Sequence, residues 1–173
     1  MLTKAVNNRE YFSITHTYPL NFARALSQTT SPKPINFVYV SGEGATPTPG
    51  LFTAHFGVIK GQAEADLLTL SKDPAFSNLR TYSLRPGGVD PTHHQEIHGF
   101  FPARSGLEGF LNPLLSVFRL TMPFILSPTR DLGRILTGLA SGEIGNGQPL
   151  EGKGVNGEGR TITNLGFRRL AGL

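Results

Sequence analysis

Ile35-Asn-Phe-Val-Tyr-Val40 followed by Ser41-Gly42 is a short β-branched and aromatic run that stops at a serine and a glycine. Ser31-Pro-Lys-Pro34 precedes it and Gly42-Glu-Gly-Ala-Thr-Pro-Thr-Pro-Gly50 follows, so it reads as a strand buried on both faces and bounded by loops. Downstream, Phe52, Phe56, Ile59, Ala63, Leu67 and Leu70 recur at helical spacing, which predicts a helix from about Leu51 to Leu70. Leu79-Arg-Thr-Tyr-Ser-Leu-Arg85 repeats the strand composition and is stopped by Pro86-Gly-Gly88. Strand, helix and strand with a crossover of this length make a parallel β-α-β unit, which is right-handed in nearly all proteins. The fold class is α/β.

Outward from this unit the signals weaken. Residues 9–18 read as a loop or short helix, and Pro19 suits the first turn of a helix to about Ser27, with Leu20, Ala23 and Leu26 on one face. From residue 91 the chain turns to loops and helices, near 107–120 and 129–140. Leu139 to Arg160 is glycine-rich, and a short basic helix, Asn164 to Leu173, closes the chain, its Arg168 and Arg169 reading as a solvated face where cations suit the helix dipole. Phe100, Phe101, Phe110, Leu114, Phe118 and Phe124 either seal the core or form a pocket for an aromatic or polyketide-like substrate.

A chain of 173 residues suggests one domain. Its 16 basic and 12 acidic residues are spread along the sequence with no basic run of five, which argues against nucleic acid as a partner. The absence of cysteine excludes disulfides, thiolate metal sites and cysteine nucleophiles. No secretory signal opens the chain, so a cytoplasmic location is expected. The most apolar stretch, Leu107 to Leu126, contains Glu108, Arg119 and two prolines. A charge near the centre of a membrane helix costs about 2.5–3.5 kcal/mol, so a buried or pocket-lining helix is expected there and no membrane span.

Phe-Val-Tyr-Val-Ser41-Gly, then Lys60-Gly-Gln-Ala-Glu64, then Leu84-Arg-Pro-Gly-Gly-Val89-Asp-Pro91, then Gly159-Arg-Thr-Ile-Thr-Asn164, occur in one order. That order resembles the atypical or extended short-chain dehydrogenase/reductases, the nucleoside-diphosphate-sugar-epimerase-like group with its Tat-interacting-protein-type branch. The resemblance covers nearly the whole chain and implies the C-terminal part of a doubly wound, Rossmann-like parallel sheet. Residues 1–90 would be a partial Rossmann core and 91–173 a helical substrate-side extension. It implies an NAD- or NADP-dependent oxidoreductase or epimerase acting on a small molecule. Ser41 would hold the substrate oxygen, and Lys60 would bind the nicotinamide ribose and lower the pKa of a catalytic phenol. Arg85, Pro86, Gly87 and Val89 would meet the cofactor where the second strand ends.

Two departures qualify that expectation. Phe56 stands where the family carries its catalytic tyrosine, and it has no oxygen to give or take a proton. His55 lies about 100° around the helix from it, and Tyr39 lies one step deeper on the face of Ser41. The glycine-rich pyrophosphate turn of such a fold precedes the serine strand; 40 residues precede Ser41 here, with no glycine among them. The first half is therefore expected to be missing, leaving the Ile35–Val40 strand with an exposed edge for self-association. A literal G-x-G-x-x-G at Gly152-Lys-Gly154-Val-Asn-Gly157 lies between loops and is not expected to bind phosphate. His94 and His98 have helical ligand spacing but no distant third ligand, so a polar loop is expected and no metal. An impaired enzyme, a non-catalytic binding or regulatory protein on the same fold, and a truncated product without independent function are the three alternatives.

Overall fold

The computed structural model describes residues 7–29, 33–100 and 120–173. The expected helix near 107–120 and the apolar residues between 101 and 119 fall outside them, apart from Leu120.

The unit that opened the sequence reading is present. Strand β1 (Ile35–Val40) pairs in parallel with β2 (Leu79–Leu84), in register from Ile35 opposite Leu79 to Val40 opposite Leu84. Helix α3 (His55–Leu70) connects them. The chain is mixed α/β with a mostly parallel sheet. Its order is β1-β2-β6-β5, where β6 (Thr161–Ile162) runs parallel to β2 and β5 (Val155–Asn156) pairs antiparallel with β6. A second parallel pair joins β3 (Gly88–Asp90) to β4 (Leu126–Pro128).

Helices cover both faces. On one, Leu20 and Ala23 of α2 (Tyr18–Thr29) and Ala63, Leu67 and Leu70 of α3 meet Tyr39 and Leu79. On the other, Leu132, Ile135 and Leu139 of α4 (Thr129–Ser141) and Phe167 of α5 (Asn164–Ala171) bury Tyr82, Leu84 and Ile162. Val38 packs on this second cluster and Phe37 on the first, as the two-residue period of a strand requires.

Several expectations need correction. Strand β1 is mostly half-buried, because it is an edge strand among the described residues. The ladder to β2 uses Ile35 and Ser41, whose N–H groups donate to Asn78 and Leu84 carbonyls. By the alternation of a parallel ladder, the backbone polar groups of Asn36, Val38 and Val40 face the open side. This is the edge on which self-association was expected.

Helix α3 begins at His55, four residues later than the apolar spacing predicts. The Gly50 N–H donates to the Thr53 hydroxyl at 2.8 Å, closing a turn that leaves Leu51 and Phe52 fully outside the core. Residues 9–18 are helical, as α1 (Asn8–Phe12) and then a π-helical turn at Ser13–Thr17. Pro19 has no N–H to offer the Thr15 carbonyl. The Tyr39 hydroxyl donates to that carbonyl instead, at 2.9 Å, tying the turn to the sheet. The glycine-rich tract read as loop contains β5, and Pro86-Gly87 is only a pause before β3.

Candidate functional site

In a parallel sheet the loops that leave the carboxyl ends of adjacent strands open a crevice, where ligands collect. Here the β1–β2 pairing runs past both strands: the Ser41 N–H donates to the Leu84 carbonyl at 2.8 Å and the Glu43 N–H to Pro86 at 2.9 Å. The loop after β1 then lies against α3. A Cβ on Gly61 would stand 2.0 Å from the Thr46 carbonyl oxygen, and one on Gly57 would stand 2.5 Å from that of Gly44. Two glycines four residues apart thus give α3 a bare face for the loop backbone.

That contact brings Lys60 to Ser41. The Lys60 ammonium donates to the Ser41 main-chain carbonyl at 2.7 Å. Burial lowers its pKa, an effect opposed by the nearby Glu64 carboxylate. The Ser41 hydroxyl is itself buried and has no hydrogen-bond partner among the described residues.

Gly42 and Glu43, which follow Ser41, border a cleft of about 1050 Å³. Phe56, Pro86 and Gly87 line it, with Phe124, Ile125 and Leu165 supplying further apolar wall. Its floor is fixed by polar groups. The Gly87 N–H donates to the Ser127 hydroxyl at 3.0 Å, and Ser127 donates to the Asn164 side-chain oxygen at 2.7 Å. The Asn164 amide donates to the Phe124 carbonyl at 2.8 Å. Glu43 accepts from the Asn164 N–H at 3.1 Å, placing a carboxylate at the first turn of α5, where the helix dipole favours it.

Of the residues singled out from sequence, Phe56, Pro86 and Gly87 come together in the cleft, while Ser41 and Lys60 are joined to each other outside its lining. Arg85 and Val89 do not join them. Arg85 turns to Glu64 in a two-pronged ion pair, with nitrogen–oxygen distances of 2.9, 3.1 and 2.5 Å. Val89 is exposed on β3. Arg168 and Arg169 line the cleft, where the sequence suggested only a solvated helix face. Arg168 donates to the carbonyls of Pro123 and Leu126, at 2.9 and 3.0 Å. Glu43 and Ser127 carried no signal in the sequence; Asn164 lay in a quoted motif without a role.

Neither substitute for a catalytic phenol stands in the cleft. His55 is exposed at the start of α3, its ring centroid 6.3 Å from that of Tyr11. Tyr39 is buried and committed to Thr15, and burial, then Glu64 and Tyr11, push its pKa well above the usual tyrosine value. His94 and His98 flank and occupy a 3-10 turn, Gln95–Phe100, bonded to Thr129 and to the Pro91 carbonyl. Among the described residues no three His, Cys, Asp or Glu side chains converge as metal ligands. Gly154 packs on α5, where a Cβ would stand 2.1 Å from the Gly166 nitrogen. The G-x-G-x-x-G run thus makes a close backbone contact with its own chain.

The raised pKa of Tyr39 has a stability consequence. Unfolded, the phenol ionises near its ordinary value of 10.0, whereas folded it stays protonated. Above pH 10 the unfolded state therefore holds fewer protons, and stability falls as pH rises. Lys60 acts oppositely, since its lowered pKa makes stability rise with pH below 10.5. In urea melts from about pH 9 to 11, Tyr39→Phe is expected to flatten the alkaline loss by up to about 1.4 kcal/mol per pH unit. An unchanged slope would mean that the phenol ionises freely in the fold.

Among the described residues no helix is long and apolar enough to cross a membrane. The chain is 40% identical over 168 residues to Botcinic acid biosynthesis cluster B protein 16 of Botryotinia fuckeliana (strain B05.10), an alignment covering 89% of this chain and 98% of that protein. No protein-family model matches the chain. No solved structure matches it either.

Proposed function

The chain belongs to the family of that Botryotinia protein, and from this premise we propose that it is a small-molecule-binding protein on a short-chain-dehydrogenase-like fold, acting in the biosynthesis of an organic metabolite. The carrying observation is the apolar cleft at the carboxyl ends of β1 and β2, with Phe56 in its wall. The relative's name supplies the biosynthetic setting. The motif order, and the closeness of Lys60 to Ser41, support descent from an NAD(P)-dependent oxidoreductase or epimerase.

Turnover by the chain's own residues is not part of the reading. Phe56 offers no titratable oxygen, and proton transfer by a positioned group contributes about 10²–10⁴ in rate. For NAD or NADP the fit is partial. By the resemblance Lys60 would meet a nicotinamide ribose, but its ammonium is held by the Ser41 carbonyl. Arg85 is spent on Glu64, and Gly154 on α5. No hydride-transfer step is assigned.

The test has two halves. Methyl 2-naphthoate, a neutral apolar probe, is expected to bind with one site per chain, and Phe124→Ala to weaken it several-fold. Phe56→Tyr is expected to leave NADH and NADPH consumption with a bicyclic ketone at background. Turnover in that variant would replace the reading with the oxidoreductase one. So would NADH binding that Lys60→Ala abolishes.

A further inference from the structure

The cleft carries two guanidinium groups. Arg168 and Arg169 both line it, and among the described residues neither forms an ion pair with a carboxylate. Their bonds go to main-chain carbonyls: Arg168 to Pro123 and Leu126, and Arg169 to Glu151 at 2.6 Å. A guanidinium has five N–H donors, so each keeps donors over after these bonds. The carbonyls orient the two groups without neutralising them. Arg169 is held further by Gly152, whose missing Cβ would stand 2.4 Å from a guanidinium nitrogen. The acidic side chain of the lining, Glu43, is engaged at the first turn of α5 through the Asn164 N–H. The remaining wall is apolar, from Phe56, Phe124, Ile125 and Leu165.

We propose that the cleft selects an organic acid, an apolar or aromatic body whose carboxylate is received by Arg168 and Arg169. This rests on the binding reading above and names its ligand class. The guanidinium fork matches a carboxylate through two parallel N–H···O bonds, and such charge-assisted bonds are roughly twice as strong as neutral ones. An apolar wall alone would bind an acid and its ester about equally, so the arginines make the difference between them.

The experiment compares 2-naphthoate with methyl 2-naphthoate on the full chain, by naphthalene fluorescence, which no tryptophan obscures because the chain has none. The acid is expected to bind about ten-fold more tightly than the ester. Arg169→Gln should remove most of that preference, lowering affinity for the acid far more than for the ester. Arg168→Gln also cuts the ties to Pro123 and Leu126, so the exposed Arg169 is the primary variant and Arg169→Glu, expected to favour the ester, the second. Equal binding of acid and ester by the unaltered protein would overturn the acid preference and leave the cleft reading standing. A preference that survives both Arg169 variants would overturn this assignment of the charge. Binding of neither probe would overturn the cleft reading, and the acid preference with it.

Discussion

Glu64→Gln is expected to lower the unfolding free energy by about 3–5 kcal/mol, the usual consequence of removing one member of a buried ion pair. The Glu64 side chain is 4% exposed and that of Arg85 15%, and the carboxylate receives three N–H···O contacts from the guanidinium. Glutamine keeps the shape but leaves Arg85 with its charge uncompensated inside the protein. The loss is therefore mostly the burial of that orphaned charge, not the intrinsic worth of the pair. Replacing both partners at once, Glu64→Leu with Arg85→Met, should recover much of the loss, as apolar substitution of both members often does. Urea denaturation of the two variants measures both effects. A single-variant loss under about 1 kcal/mol would mean that water reaches Arg85 in solution.

Phe167→Ala is expected to cost about 3–5 kcal/mol, the range for emptying a buried phenylalanine site. Phe167 is completely buried, at the centre of the cluster joining α4, α5 and β2. Its helix also carries Asn164, Arg168 and Arg169, so the substitution loosens the polar floor and the charged wall of the cleft together. Thermal melts and naphthoate binding should therefore fail in parallel. A variant that loses stability but keeps naphthoate affinity would show that α5 is held by its polar contacts alone.

The two predicted strands and their connecting helix were legible because their information is local. A six-residue run rich in β-branched and aromatic residues between loop-forming segments specifies a strand wherever it is placed. Strands β3, β4, β5 and β6 have two or three residues each, and no periodicity can be read from such runs. Their pairing is decided by neighbours brought from far away, such as Thr161 set beside Ser83. The early start predicted for α3 failed because Phe52 fits the helical period, while the Gly50–Thr53 turn spends that backbone elsewhere. At the site, Phe56 and Pro86 could be read because they border the two legible strands. Arg85 was misplaced for a different reason: its partner Glu64 lies on α3, 21 residues earlier, and only the folded sheet shows which side of the strand end the guanidinium takes. Arg168 and Arg169 looked like ordinary end-of-helix cations, because sequence says nothing of what a terminal helix packs against.

The sheet order β1-β2-β6-β5 also sets a timetable for synthesis. During translation β1, α3 and β2 leave the ribosome as a consecutive unit, but the strand that flanks β2 arrives only with Thr161 and Ile162, near the end of the chain. Until then one apolar face of the sheet lacks Phe167, and the N–H groups of Ser83 and Arg85 lack the carbonyls of Arg160 and Ile162. A β1–β2 pair formed before β6 is added is therefore open along both of its strand edges, the condition in which partly folded chains associate.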